Sequence, residues 1–189
     1  MKTHPLAASF LAAMMASPLC LAQSGGWAPP PPQYPPPAQF APPPPQHASP
    51  PPYTWVRSSA GRPLPYGAIE GGWENGHPLY VCRIRNAGGM HPGKIVSGHC
   101  NIGYGGREIS RSEYEVLVGP RGGSWSFAHG HYNGALVGGS ENGRPLYICR
   151  ADYRGGKHPG KVVANHCNFG FGGAEVSVTR FEVFYPGRR

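Results

Sequence analysis

The chain has 189 residues, of which 24 are proline and 29 glycine, and 39% are hydrophobic. Apart from one short apolar run near the N-terminus, no stretch is long enough to cross a bilayer as a helix. Lysine and arginine outnumber the acids 17 to 9, a net charge of +8; the excess favours acidic partners, but the basic residues are dispersed, with no run of five or six, which argues against a nucleic-acid role.

In chain order, Met1-Lys2 supplies a positive start, Leu6 to Leu19 is apolar and uncharged, and Cys20-Leu21-Ala22 offers small residues where a signal peptidase reads. Residues 1–22 therefore read as a secretory signal peptide, with an apolar run too short for a comfortable membrane anchor. Pro18-Leu19 ahead of Cys20 makes a poor lipid-attachment signal. The implied destination is secretion, or the periplasm or cell envelope.

Residues 23–65 change character, with runs such as Pro29–Pro32 and Pro42–Pro45. Proline fixes φ and removes a backbone donor, so this stretch is expected to be a disordered or polyproline-like arm that builds no strand ladder. Tyr34, Phe40, Tyr53 and Trp55 are scattered along it and read as part of a spacer rather than as ligands for a partner.

Residues 66–189 are then expected to form one domain organised by an internal repeat. Residues 68–118 align without gaps on 135–185 at an offset of 67, with 28 of 51 positions identical. Each copy reads as short strands separated by glycine turns. Asn75-Gly76 and Asn142-Gly143 are hairpin signals, because both central residues of a primed turn need positive φ. Leu79 to Ile84, Lys94 to Val96, Asn101 to Tyr104 and Tyr114 to Val118 are strand-like, as are their counterparts, and Trp125 to Ala128 is an extra strand between the copies. No window carries a sustained helical period. The predicted class is all-β: two tandem repeats of antiparallel strands packed about a pseudo-two-fold axis, since half of the domain is too small to bury its own face.

Four cysteines follow the leader, two per repeat at equal spacing: Cys82 and Cys100, Cys149 and Cys167. In an exported chain they are expected as disulfides, most simply within each repeat, although spacing alone leaves a cross-repeat pairing open. The alternative is a metal site using His91, His99, His158 or His166. It is disfavoured because adjacent strand residues point to opposite faces and no Cys-x-x-Cys pair occurs. No metal or other cofactor is expected.

Gly71-Gly72-Trp73-Glu74-Asn75-Gly76, Leu79-Tyr80-Val81-Cys82-Arg83, Pro92-Gly93-Lys94, Tyr104-Gly105-Gly106 with Glu108, and Tyr114 to Val118 together resemble the DM-nine repeat family, also found near natterin-type proteins. The second copy carries Pro159-Gly160-Lys161 and Phe171-Gly172-Gly173 with Glu175. The resemblance covers nearly all of 66–185 and implies a tandem-repeat β fold with pseudo-two-fold symmetry. Some animal members are mannose-binding lectins, often dimeric, in which an acid of the turn motif and the lysine of Pro-Gly-Lys contact the sugar. By position these are Glu74 with Lys94, and Glu141 with Lys161. The family's acid is usually Asp; here it is Glu in both copies, one methylene longer.

The chemistry agrees with that implication. A carboxylate accepts from two hydroxyls of a diol and an ammonium donates to hydroxyl lone pairs. Sugar rings settle on aromatic faces, for which Trp73, Tyr80, Tyr104, Tyr147 and Phe171 are candidates. Trp73 has Ser140 as its counterpart, so two unequal sites are expected.

Catalysis is not expected, because no Gly-x-Ser-x-Gly or His-Glu-x-x-His motif occurs. Glu108 and Glu175 are better placed to bond turn amides than to serve as one half of a glycosidase pair with Glu74 or Glu141. The function read from the sequence is therefore a secreted, lectin-like, mannose-type binder of glycans or cell-surface polysaccharide, with a homodimer implied by the family. The alternative is a structural or protein-interaction module of the cell envelope, and a weaker one is binding to anionic lipids or polyanions through net charge.

Overall fold

The computed structural model describes residues 53–127 and 129–187. The signal peptide expected over 1–22 and the proline runs before residue 53 lie outside the described residues. Among the described residues all regular structure is β. The first copy contains β1 (Thr54–Ser59), β2 (Glu70–Glu74), β3 (His77–Asn86), β4 (Gly89–Val96), β5 (His99–Tyr104), β6 (Arg107–Arg111) and β7 (Glu113–Val118). The second contains β8 (Ser124–Phe127), β9 (Val137–Glu141), β10 (Arg144–Tyr153), β11 (Gly156–Val163), β12 (His166–Phe171), β13 (Ala174–Val178) and β14 (Glu182–Tyr185).

Short hairpins follow from the turn chemistry. Asn75-Gly76 and Asn142-Gly143 take φ of 50° and 76°, and 48° and 74°, as the primed turn requires. The same left-handed pair closes the next hairpins at Ala87-Gly88 and Ser97-Gly98, and at Arg154-Gly155 and Ala164-Asn165.

The two copies are interleaved rather than set side by side. β2 pairs with β11 through Trp73↔Lys157, and β9 pairs with β4 through Ser140↔Met90. Each of these is the other displaced by one repeat. β6 meets β13 at Arg107↔Ala174, residues that are each other's repeat counterparts, so this bridge sits on the pseudo-two-fold. With β3–β4 and β10–β11 also paired, the 14 strands close into a barrel and leave few free edges.

The Gly-Gly pairs are where the copies touch. A Cβ on Gly72 would overlap the carbonyl of Lys157, and one on Gly139 would overlap that of Met90. A Cβ on Gly71 or Gly138 would press into Pro159 or Pro92 of the other copy. Glycine is required there by close approach, not by turn geometry.

Each copy has its own core around its disulfide. Cys82–Cys100 packs with Ile84, Ile102 and Val116, and Cys149–Cys167 with Phe169, Phe181 and Val183. Both bridges are intra-repeat, each joining residues 18 apart, and a loop of that size is worth about 3 kcal/mol against the unfolded chain. A third cluster of Tyr53, Val81, Leu117, Ile148 and Phe184 ties the copies together.

The arm expected over 23–65 requires correction at its C-terminal end. Thr54–Ser59 is a strand paired with β7 from Thr54↔Val118 to Ser59↔Glu113, and Tyr53 is only 5% exposed, edge-on to Phe184 at 5.3 Å. Trp55 is the structural counterpart of Trp125, although the two lie 70 rather than 67 residues apart. Arg83 stacks over Trp55 at 4.2 Å and pairs with Glu115 at 2.6 Å; Arg150 stacks over Trp125 at 4.4 Å and pairs with Glu182 at 2.7 Å. The strand expected from Trp125 is present as Ser124–Phe127, and it serves as the first strand of the second repeat, as β1 does in the first.

Candidate functional site

Pro-Gly-Lys lies within β4 and again within β11, both almost wholly buried strands. Lys94 is 1% exposed and Lys161 2%. The sequence expectation of cationic groups open to solvent is therefore corrected for the lysines. Interleaving of the copies explains it: β4 and β11 cross at the centre, and each lysine points into the partner repeat.

Lys94 Nζ lies 2.9 Å from His158 Nδ1, and Lys161 Nζ lies 3.1 Å from His91 Nδ1. The other ring nitrogen, Nε2, lies 3.1 Å from a backbone carbonyl, that of Tyr153 for His158 and of Asn86 for His91. A carbonyl only accepts, so Nε2 carries the proton, Nδ1 is the acceptor and the ammonium donates to it. Burial first, and then the facing lysine, push both imidazoles below their ordinary value of 6.5. Burial likewise pulls both lysines below the usual ammonium range, against the opposing pull of Glu74 and Glu108 on Lys94 and of Glu175 and Glu141 on Lys161.

Aromatic rings complete each group. Lys94 Nζ lies 5.2 Å from the Phe171 ring centre, and Phe169 stacks on His158 at 5.2 Å. Lys161 Nζ lies 5.0 Å from the Tyr104 ring, which meets His91 edge-on at 5.0 Å. The first site is therefore Glu74 and Lys94 of one copy with His158 and Phe171 of the other. The second is Glu141 and Lys161 with His91 and Tyr104. Glu74 and Glu141 are half-buried, at the rim of these groups. Among the described residues neither acid forms a direct ion pair with its lysine, although each is close enough to shift the lysine's proton affinity.

Two expected members change place. Tyr104 does not join Glu74 and Lys94; the crossing of the copies sends it to Lys161 and Glu141. There Glu141 acts on its hydroxyl, and the phenol is pushed above its usual value by desolvation first and by Glu141 second. Trp73 leaves the site altogether. Its ring, 44% exposed, lies 5.7 Å from Lys157 Nζ, and that lysine is bound to Glu182 and Asp152. Neighbouring strand residues face opposite ways, so Glu74 and Trp73 cannot serve one site. The two sites are unequal for another reason: Tyr104 offers a hydroxyl where Phe171 offers none.

Glu108 and Glu175 bond turn amides, as the sequence suggested, but in the opposite copy. Glu108 Oε2 accepts from Gly173 N at 2.9 Å and Glu175 Oε2 from Gly106 N at 3.0 Å. Each also takes an amide of its own copy, from Asn101 and Asn168. The histidines were the missed members. Their place directly before Pro-Gly-Lys was visible, but their partners belong to the other repeat.

The four cysteines sit in disulfides, which removes them as nucleophiles or metal ligands and is compatible with an extracellular location. Among the described residues no helix is long and apolar enough to cross a membrane.

The crystal structure of the nematode sperm cell motility protein MFP2B is similar in fold, with a TM-score of 0.51 at 15% identity. The similarity covers 72% of this chain and 46% of that one, so the chain spans less than half the length of that relative. No curated protein sequence matches the chain. The sequence profile of the DM9 repeat matches residues 46–99 and 73–178, and the interleaved pair of glycine-turned β repeats is accounted for by the same duplication: the chain belongs to the DM9 repeat family.

Proposed function

We propose that the protein is an exported, mannose-type carbohydrate-binding module without catalysis, with two unequal sites. Family membership supports a carbohydrate-binding, lectin-like module in general. The observation that carries the finer reading is the pairing of a half-exposed carboxylate with a buried ammonium, built twice from crossed repeats. A lysine has three N–H donors, and among the described residues one hydrogen bond, to the facing imidazole, is formed by each. The carboxylates stand beyond direct ion-pair distance, and in the proposed complex a pair of vicinal hydroxyls bridges the gap, donating to the acid and accepting from the ammonium. In this reading Glu74 and Glu141 make the outer contact, Phe171 and Tyr104 take the apolar sugar face, and Lys94 and Lys161 form the floor.

The test is calorimetry of the exported chain with methyl α-mannoside, preceded by a glycan array. Glu74→Gln and Glu141→Gln are each expected to weaken binding about tenfold at their own site, the scale of one charge-assisted hydrogen bond, and together to abolish it. The disulfide-bonded fold should remain, as both acids are at the rim. Absence of any mannose-type signal, or binding indifferent to both substitutions, would sink the proposal. If a protein partner is then captured, the envelope-interaction reading takes its place.

A further inference from the structure

The first repeat carries a polar cleft whose unpaired arginines the second repeat does not reproduce. It opens over β1, β7 and β3, with a volume of about 540 Å³, a size that holds a mono- or disaccharide. Across these strands Arg57, Glu115 and Arg83 stand in register. Ser59 pairs with Glu113 in the row beyond, and Arg85 follows Arg83 on the same face. Arg62 closes one side. Arg83 is committed to Glu115 and Trp55. Arg57, Arg62 and Arg85 are exposed, and among the described residues none of the three makes an ion pair.

The duplication supplies an internal comparison. In the second repeat Asp152 replaces Arg85 and Lys157 replaces Met90. Lys157 is then held by Asp152 at 3.1 Å and Glu182 at 2.9 Å. Phe127 stands opposite Glu182 where Arg57 stands opposite Glu115, and it is covered by Arg180. The second copy thus ties its cations to its own chain, whereas the first leaves three guanidiniums facing a cleft.

We propose that this cleft binds the anionic unit of an acidic saccharide, an oxyanion carried on a hydroxyl-rich ring. Planar guanidiniums match a carboxylate or an ester oxyanion two bonds at a time. Glu113 and Glu115, set among them, repel a polyphosphate but accept from ring hydroxyls. Met90, the cross-strand partner of Arg85 and half-buried, gives an apolar contact for the C–H face of the ring. The site shares no residue with the mannose-type sites, so it stands or falls separately from them.

The test uses the exported chain and four probes at physiological ionic strength: a galacturonic acid tetrasaccharide, the neutral galactose tetrasaccharide, inorganic sulfate, and phosphatidylglycerol vesicles. The uronate is expected to bind and the neutral sugar not. Arg57→Gln with Arg85→Gln should weaken uronate binding at least about tenfold, as charge-assisted bonds are lost. Arg111→Gln with Arg144→Gln, an equal change of charge at exposed positions elsewhere, should leave it unchanged. Glu74→Gln with Glu141→Gln should also leave it unchanged, whatever that pair does to mannose. Equal loss in both arginine doubles would mean diffuse attraction and overturn the proposal. So would failure of the uronate to bind, or sulfate or vesicles binding as tightly as the saccharide.

Discussion

His91 and His158 owe their protonation state to packing rather than to any neighbour in sequence. Each accepts from a lysine at Nδ1 and donates to a carbonyl at Nε2, an arrangement that only the neutral ring can make. Their proton affinity is lowered in the fold, so the unfolded chain binds more protons as pH falls below about 6.5. Stability is accordingly full above that value and is lost as pH falls from it through the depressed folded values, at about 1.4 kcal/mol for each tenfold loss of affinity. Glu182, held below the ordinary carboxylate value by Arg150 and Lys157 despite its burial, adds a separate loss below about 4.5. Urea midpoints measured between these limits should fall with pH in the wild type, and the slope should flatten in the His91→Gln, His158→Gln double variant. An unchanged slope would show that the imidazoles do not carry it. The residues of this motif were legible in the sequence, His and Lys at fixed spacing twice over. Their pairing was not, because the contact runs 64 or 70 residues along the chain, and nothing local records it.

Strands were readable where β-branched and aromatic residues alternate between glycine turns, as in β3, β5 and β7. β2 and β9 were not, since Gly-Gly has no strand propensity and both are fixed by approach of the other copy. β4 was read only from Lys94 onward because Pro92 lacks a ladder donor. β1 was missed for a compositional reason: its Thr-Trp-Val-Arg is strand-like, but the preceding prolines dominate any window that contains it. Its role is to cover the Arg83–Glu115 pair with Trp55 and to lead Tyr53 onto Phe184. Trp55→Ala should therefore destabilise by about 2 kcal/mol, less than a fully buried tryptophan because the ring is half-buried. Trp125→Ala should do the same in the second copy. A shortened chain starting at residue 60 should lose more than either, since it discards the whole β1–β7 ladder. If removal of β1 leaves the urea midpoint unchanged, the strand is an accessory and the domain does begin near residue 66.

At the scale of the molecule, a repeat visible as a linear duplication has become a single barrel in which neither copy is complete. Each lysine is buried only by the other copy's histidine and aromatics. Each of Glu108 and Glu175 caps a glycine turn across the pseudo-axis, and each Gly-Gly strand ladders onto the opposite repeat. A half of this size cannot bury its own apolar face, and here it would also expose an ammonium suited to a dry floor. The two halves still share 28 of 51 aligned positions, including every residue of the His-Pro-Gly-Lys motif. One half can therefore offer a second copy of itself nearly the surface its natural partner presents. Residues 53–120 made alone should be unfolded at low concentration and gain β structure only as a dimer, with a midpoint that rises with protein concentration. Mixed with residues 121–189, they should fold at lower concentration still, because the Tyr104–Glu141 and Glu108–Gly173 contacts are then restored. Sedimentation and far-ultraviolet circular dichroism across a dilution series decide the matter. A folded, monomeric half would mean that the cross-repeat contacts are decoration on two independent domains, and the shared sites built from them would lose their physical basis.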